Sequence, residues 1–204
     1  MHPIIFDIDT QWDLIYKKSK NVDIQIIKNI EDVLINALRN EIVLIGSVIV
    51  YENNLYGYCA VGTVGQEKLN ETMMVEPEFY YNVANTRNGI DLNVASECWQ
   101  IVFEKQGSDI WDPLLGQPDN LQSLLRSEHV DLVYIVGNNF DDSVIYTIEG
   151  LIKSKYKVKV IIDAVNWNNN SVYKILVDTL YGIGVDQCIT TEDFISEVSG
   201  EANG

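Results

Sequence analysis

A chain of 204 residues is long enough for one domain with a sizeable core, and 47% hydrophobic against 22% charged residues is the balance of a globular protein. A net charge of −16 repels phosphate backbones and anionic surfaces, so neither nucleic acid nor membrane is an expected partner. No apolar run is long enough to span a bilayer, the opening MHPIIFDID has no basic region or cleavage site, and Cys59, Cys98 and Cys188 are too scattered for a disulfide framework, so a cytoplasmic protein is expected.

In chain order, a first strand is predicted at Pro3–Ile8. Ile27, Ile30, Leu34 and Leu38 then recur at helical spacing, and a second strand follows at Ile42–Val50. Residues 51–96 carry Tyr51, Tyr56, Tyr58, Phe79, Tyr80 and Tyr81 without a clear period. A stretch that long without regular structure is expected to form a pocket wall or a subunit contact. Strands come next at Trp99–Phe103 and Val130–Val136, and the latter leads into a helix striped by Val144, Ile145, Ile148, Leu151 and Ile152. A strand at Val158–Ile162, a helix striped by Val172, Ile175, Leu176 and Leu180, and a strand at Val185–Thr190 complete the order. Most of these strands are apolar on both faces, which suits a parallel sheet covered on two sides. The alternation implies one domain over residues 1–198, with 199–204 as a frayed tail. Its expected class is α/β: a three-layer α/β/α, doubly wound, mainly parallel, six-stranded, Rossmann-like sheet.

Ligands of such sheets gather at the carboxyl ends of the strands. The first strand ends in DTQWD without GxGxxG, so no dinucleotide is implied; it places a carboxylate, Asp9, at the mouth. EKQGSDIWDP brings a cation, Lys105, to the same edge. GNNFDDS brings a hydroxyl, Ser143, to the start of a helix, where free N–H groups favour developing negative charge. A Ser-His-Asp triad is excluded by position: His2 is terminal and His129 precedes its strand, at the opposite end of the sheet. Lys105 is the remaining base for Ser143, and a serine hydroxyl without an activating base is a poor nucleophile.

Taken together these loops resemble the isochorismatase-like cysteine hydrolases, the family of nicotinamidases, N-carbamoylsarcosine amidases and isochorismatases. The resemblance rests on Asp9-Thr10-Gln11-Trp12-Asp13-Leu14, on Gly62-Thr63-Val64-Gly65, on Lys105 with Trp111 six residues on, on Gly137-Asn138-Asn139-Phe140-Asp141-Asp142-Ser143-Val144, and on Asp163-Ala164. These motifs run in the family's order along nearly the whole chain. The resemblance implies Asp9 as general acid or base, Lys105 as its electrostatic partner, and Gln11, Trp12, Trp111, Asn139 and Phe140 around a small-molecule substrate. It also implies a homo-oligomer, a cis Asn138–Asn139 bond, and an oxyanion hole from the amides of Asn139 and Ser143. Two departures stand out. Ser143 takes the place of the nucleophilic cysteine, and the nicotinamidase metal ligands are missing, with Tyr58 where a His is expected, so no metal and no cofactor are anticipated. The expected activity is hydrolysis of a small polar amide or enol ether. Three explanations of Ser143 remain open: a branch that works without a covalent intermediate, a degenerate member serving as a binding or assembly module, or a cysteine replaced by an inactivating change.

Overall fold

The computed structural model describes residues 2–18, 23–52, 56–84, 89–138, 140–166 and 173–200. Among them seven strands build one sheet: β1 Pro3–Ile8, β2 Leu44–Ile49, β3 Tyr80–Val83, β4 Gln100–Lys105, β5 Leu132–Gly137, β6 Lys157–Val165 and β7 Gln187–Ile189. Their order is β3-β4-β2-β1-β5-β6-β7, and every pairing is parallel. The six-strand expectation is therefore corrected to seven. The missing strand, β3, lies inside the aromatic stretch; it has four residues and pairs only with β4, so it carries almost no periodic signal. Among its described residues the stretch also holds short 3₁₀ turns at Val64–Gln66, Asn70–Thr72 and Pro77–Phe79 and the helical turn Leu92–Ala95.

Among the described residues six α-helices accompany the sheet: α1 Ile24–Arg39, α2 Leu92–Ala95, α3 Pro118–Ser127, α4 Ile145–Lys153, α5 Tyr173–Ile183 and α6 Thr191–Val198. Asp23 caps α1 by accepting the Gln25 N–H, and the helix buries Ile27, Ile30, Val33, Leu34 and Ala37. Each such side chain contributes about 1.5–3 kcal/mol relative to exposure. That stripe packs with Phe194 of α6 on the face carrying Ile5, Leu44, Tyr134 and Val136. Leu124 of α3, Ile148 of α4 and Leu180 of α5 pack on the other face, against Phe6, Ile8, Phe103 and Ile135. Strand residues thus alternate between two dry cores, and β1, β2 and β5 are almost entirely buried.

β1 and β5 run side by side in the centre, and each ends in a π-helical turn, Leu14–Lys18 after the first and Phe140–Val144 after the second. Such turns concentrate at functional sites. Ser143 lies within the second of them, ahead of α4, instead of at a simple helix cap. Gly137 is required where the two strands close up: its φ is +137°, and a Cβ there would stand 2.3 Å from the Ile8 carbonyl oxygen.

Candidate active site

The carboxyl ends of β1, β4 and β5 converge as the loops suggest. Asp9 follows β1 in a left-handed conformation, φ +53°, with its N–H donating to the Ser47 carbonyl at 3.0 Å. That turn aims the carboxylate back over the sheet. Asp9 Oδ1 accepts from Ser47 Oγ at 2.7 Å, and Oδ2 accepts from Lys105 Nζ at 2.8 Å. Lys105 closes β4 and reaches Ser143 Oγ at 3.3 Å and the Ser108 carbonyl at 2.9 Å. Asp9, Lys105, Ser143 and Ser47 are all fully buried.

Burial pushes the Lys105 ammonium below its usual pKa, while the carboxylate of Asp9, and further off Asp109 and Cys59, pull it back up. A charge pair in this setting does not recommend itself for stability, because the desolvation of both ions is large. Its presence under Ser143, at the mouth of a parallel sheet, is the arrangement expected of chemistry.

The other residues implied by the resemblance are placed less uniformly. Gln11 is buried and fully committed to the backbone: Nε2 donates to the carbonyls of Ile49 and Gln66, both at 2.8 Å, and Oε1 accepts the Ile49 N–H at 2.6 Å. Its position is that of a splint between β1, β2 and the loop beyond, not of a substrate ligand. Trp12 is 42% exposed and leans on Tyr16, ring centroids 5.1 Å apart. Trp111 spends its indole N–H on the Thr147 carbonyl at 3.2 Å and lies flush on Gly150 of α4. It therefore steadies the helix behind Ser143. Asn139, with the Asn138–Asn139 bond and its share of the oxyanion hole, lies outside the described residues, as does the side chain of Phe140.

The first motif and Gly62-Thr63-Val64-Gly65 fold against one another. Asp13 accepts the Cys59 N–H at 2.9 Å, and a Cβ on Gly65 would stand 1.8 Å from Asp13 Oδ2. Asp13 Oδ1 lies 2.6 Å from Lys17 Nζ, an ion-pair contact without hydrogen-bond geometry. His2 and His129 meet at a ring distance of 6.4 Å, and the His2 N–H donates to Asp131 just ahead of β5, at the edge remote from Asp9. Among the described residues no cluster of three or more His, Cys, Asp or Glu could hold a metal ion, and no helix is long and apolar enough to cross a membrane.

Ser47 escaped the sequence reading, although a serine inside IVLIGSVIV is the kind of polar interruption that signals a purpose. So did a buried amide pair at the ends of β5 and β6, where Asn166 Nδ2 donates to Asn138 Oδ1 at 2.7 Å.

No protein-family model and no curated protein sequence matches the chain. Solved structures do. An isochorismatase family protein from Desulfovibrio vulgaris superposes with a TM-score of 0.72 at 15% identity, covering 99% of both chains. An N-carbamoylsarcosine amidase from Thermoplasma acidophilum gives 0.67 at 17% identity, over 94% of this chain and 98% of that one. A ribonuclease from Caenorhabditis elegans gives 0.61 at 16%, over 98% and 82%. At such identities the likeness establishes a shared three-layer α/β/α fold; function has to be argued from the site.

Proposed function

We propose that the chain is an isochorismatase-like hydrolase that cleaves a small polar substrate, an enol ether or an amide, through Asp9 and Lys105. The observation that carries this reading is the fully buried Asp9–Lys105 pair, with Ser143 Oγ in contact with the same ammonium. The sequence motifs and the hydrolases among the structures of this fold support it. While Lys105 is charged and donating to Ser143, it is not a base for that hydroxyl, so the chemistry falls to Asp9. For an enol ether, the Asp9 carboxyl delivers its proton to the terminal vinyl carbon. Water adds to the oxygen-bearing carbon and returns a proton to Asp9. The adduct then separates into a carbonyl compound and an alcohol, with no bond to the protein. Lys105 holds the Asp9 anion that forms, and Ser143 orients water or substrate. The strongly negative net charge weighs against a phosphodiester backbone as substrate.

A second reading, a binding or assembly module, draws on one feature: Lys105 contacts both Asp9 and Ser143, and none of the three has any exposure. The two readings separate on one pair of proteins. The parent and Asp9→Asn are offered a panel of enol ethers and primary amides, with carbonyl product and ammonia measured. Turnover by the parent that Asp9→Asn abolishes is the expected result. Ligand or partner binding that survives Asp9→Asn, with no turnover by either, would replace the enzyme reading by the module. The assembly implied by the resemblance is a homo-oligomer, and light scattering on the same samples reads it directly.

A further inference from the structure

A second buried Asp–Lys pair lies on the other face of the same strand. Asp7 shares with Ile5 the face of β1 turned to α1, whereas the left-handed turn at Asp9 takes its carboxylate to Ser47 and Lys105. It is 1% exposed and accepts from Lys68 Nζ and, at 3.0 Å, from Thr10 Oγ1. Lys68 also donates to Thr10 Oγ1, and Thr72 Oγ1 closes the group at 3.1 Å from Thr10 Oγ1. The other oxygen of Asp7, Oδ1, is buried without a hydrogen-bond partner among the described residues. The sequence makes room for this arrangement. A Cβ on Gly46 would lie 3.0 Å from Lys68 Cε, so a larger residue in β2 would obstruct the lysine stem.

The group grips the turn that carries Asp9. Thr10 is the next residue, and its carbonyl accepts the Leu69 N–H at 2.9 Å; the Trp12 N–H donates to the Glu67 carbonyl at 3.1 Å, and Gln11 bridges Lys68. Asp9 is held from one face by Ser47 and Lys105, while Thr10 is held from the other by Asp7 and Lys68. The left-handed backbone of Asp9 lies between these two anchors. Burial is the main cause that raises the pKa of Asp7; Lys68 and Thr10 oppose it, and the neighbouring charge of Asp9 raises it further. The two carboxylates therefore feel each other across the strand. Glu67 and Glu104 line the open cleft along the Lys68 stem, and Lys105 faces Asp9.

We propose that Asp7 and Lys68 are positioning residues for Asp9, fixing the turn after β1 from the far side of the sheet and holding the Asp7 carboxyl within reach of the Asp9 charge. The proposal rests on the reading of Asp9 as the proton-transfer group, but its test does not need a substrate. The parent, Asp7→Asn and Asp9→Asn, each labelled with ¹³C-carboxyl aspartate, are titrated by NMR, the variants serving to assign the two resonances. Removing the Asp9 charge is expected to lower the Asp7 midpoint by about one pH unit, since the Asp9 charge is one of the causes that raise it. An Asp7 shift below about 0.3 unit would overturn the proposal, as a purely structural pair would leave that titration alone. If Asp7→Asn does not fold, the Asp9→Asn arm decides by itself. Coupled titrations in a protein that turns over no substrate would support this inference while removing the hydrolase reading, so the two fail separately.

Discussion

Replacing Lys105 by Met keeps an unbranched stem one atom shorter and removes its charge, which makes it the sharpest test of the site. Lys105 and Asp9 are both fully buried and 2.8 Å apart, so the Asp9 carboxylate would lose its counter-ion while keeping its desolvation. Ser47 Oγ would be its remaining side-chain donor among the described residues. Removing one partner of a buried ion pair costs about 3–5 kcal/mol, because the stranded charge keeps its desolvation penalty. Against a total stability of roughly 5–15 kcal/mol this is a large fraction. For a chain of this size it corresponds to a Tm lowered by roughly 6–20 °C. Urea unfolding followed by circular dichroism should show a lower midpoint at unchanged slope. Asp9→Asn in the same chain removes the stranded charge, so the Asp9→Asn/Lys105→Met double variant should recover most of the loss. A Lys105→Met protein within about 1 kcal/mol of the parent would refute the reasoning, since that is the cost of losing a solvated surface pair.

Three further outcomes are expected. Burial raises the Asp7 carboxyl above 3.8, so the folded chain binds that proton more tightly than the unfolded chain does, and the contribution is full below pH 3.8 and lost as pH climbs through the raised value. The stability of the parent relative to Asp7→Asn should accordingly fall as pH rises from 3.8, and urea midpoints that diverge the other way would contradict it. Gly150→Ala would ordinarily help a helix, but here the new Cβ would stand 2.1 Å from the Trp111 ring; a loss of about 1–3 kcal/mol with altered tryptophan fluorescence is expected, and a gain in Tm would disprove the packing argument. Ser143→Cys places a thiol beside Lys105, which favours thiolate; at neutral pH it should alkylate with iodoacetamide faster than Cys59, Cys98 or Cys188, and mass spectrometry showing no preference for position 143 would mean that the site no longer activates a nucleophile.

Much of this protein could be read from the chain alone. The apolar, β-branched runs marked six of the seven strands, because a central parallel strand buried on both faces leaves a continuous hydrophobic signature that does not depend on its neighbours. Asp9, Lys105 and Ser143 could be named because each directly follows, ends, or lies just beyond such a run, and strand ends in a parallel sheet share one edge. What the chain could not show was adjacency. Asp9 is 96 residues from Lys105, and they meet because the order β3-β4-β2-β1-β5 leaves only β2 between their strands, with Ser47 of β2 filling the gap. Gln11 has the composition of a ligand-binding residue, yet backbone hydrogen bonds take both of its amide hydrogens and engage its oxygen. Lys68 looks like any solvated lysine in an irregular loop until Gly46 lets it cross β2 and reach Asp7. Local sequence sets which residues are apolar and where a strand stops, because those depend on side-chain burial and backbone preference. Which charges come to face each other is decided by strand order and loop path, and only there does desolvation turn an ordinary aspartate and lysine into a site.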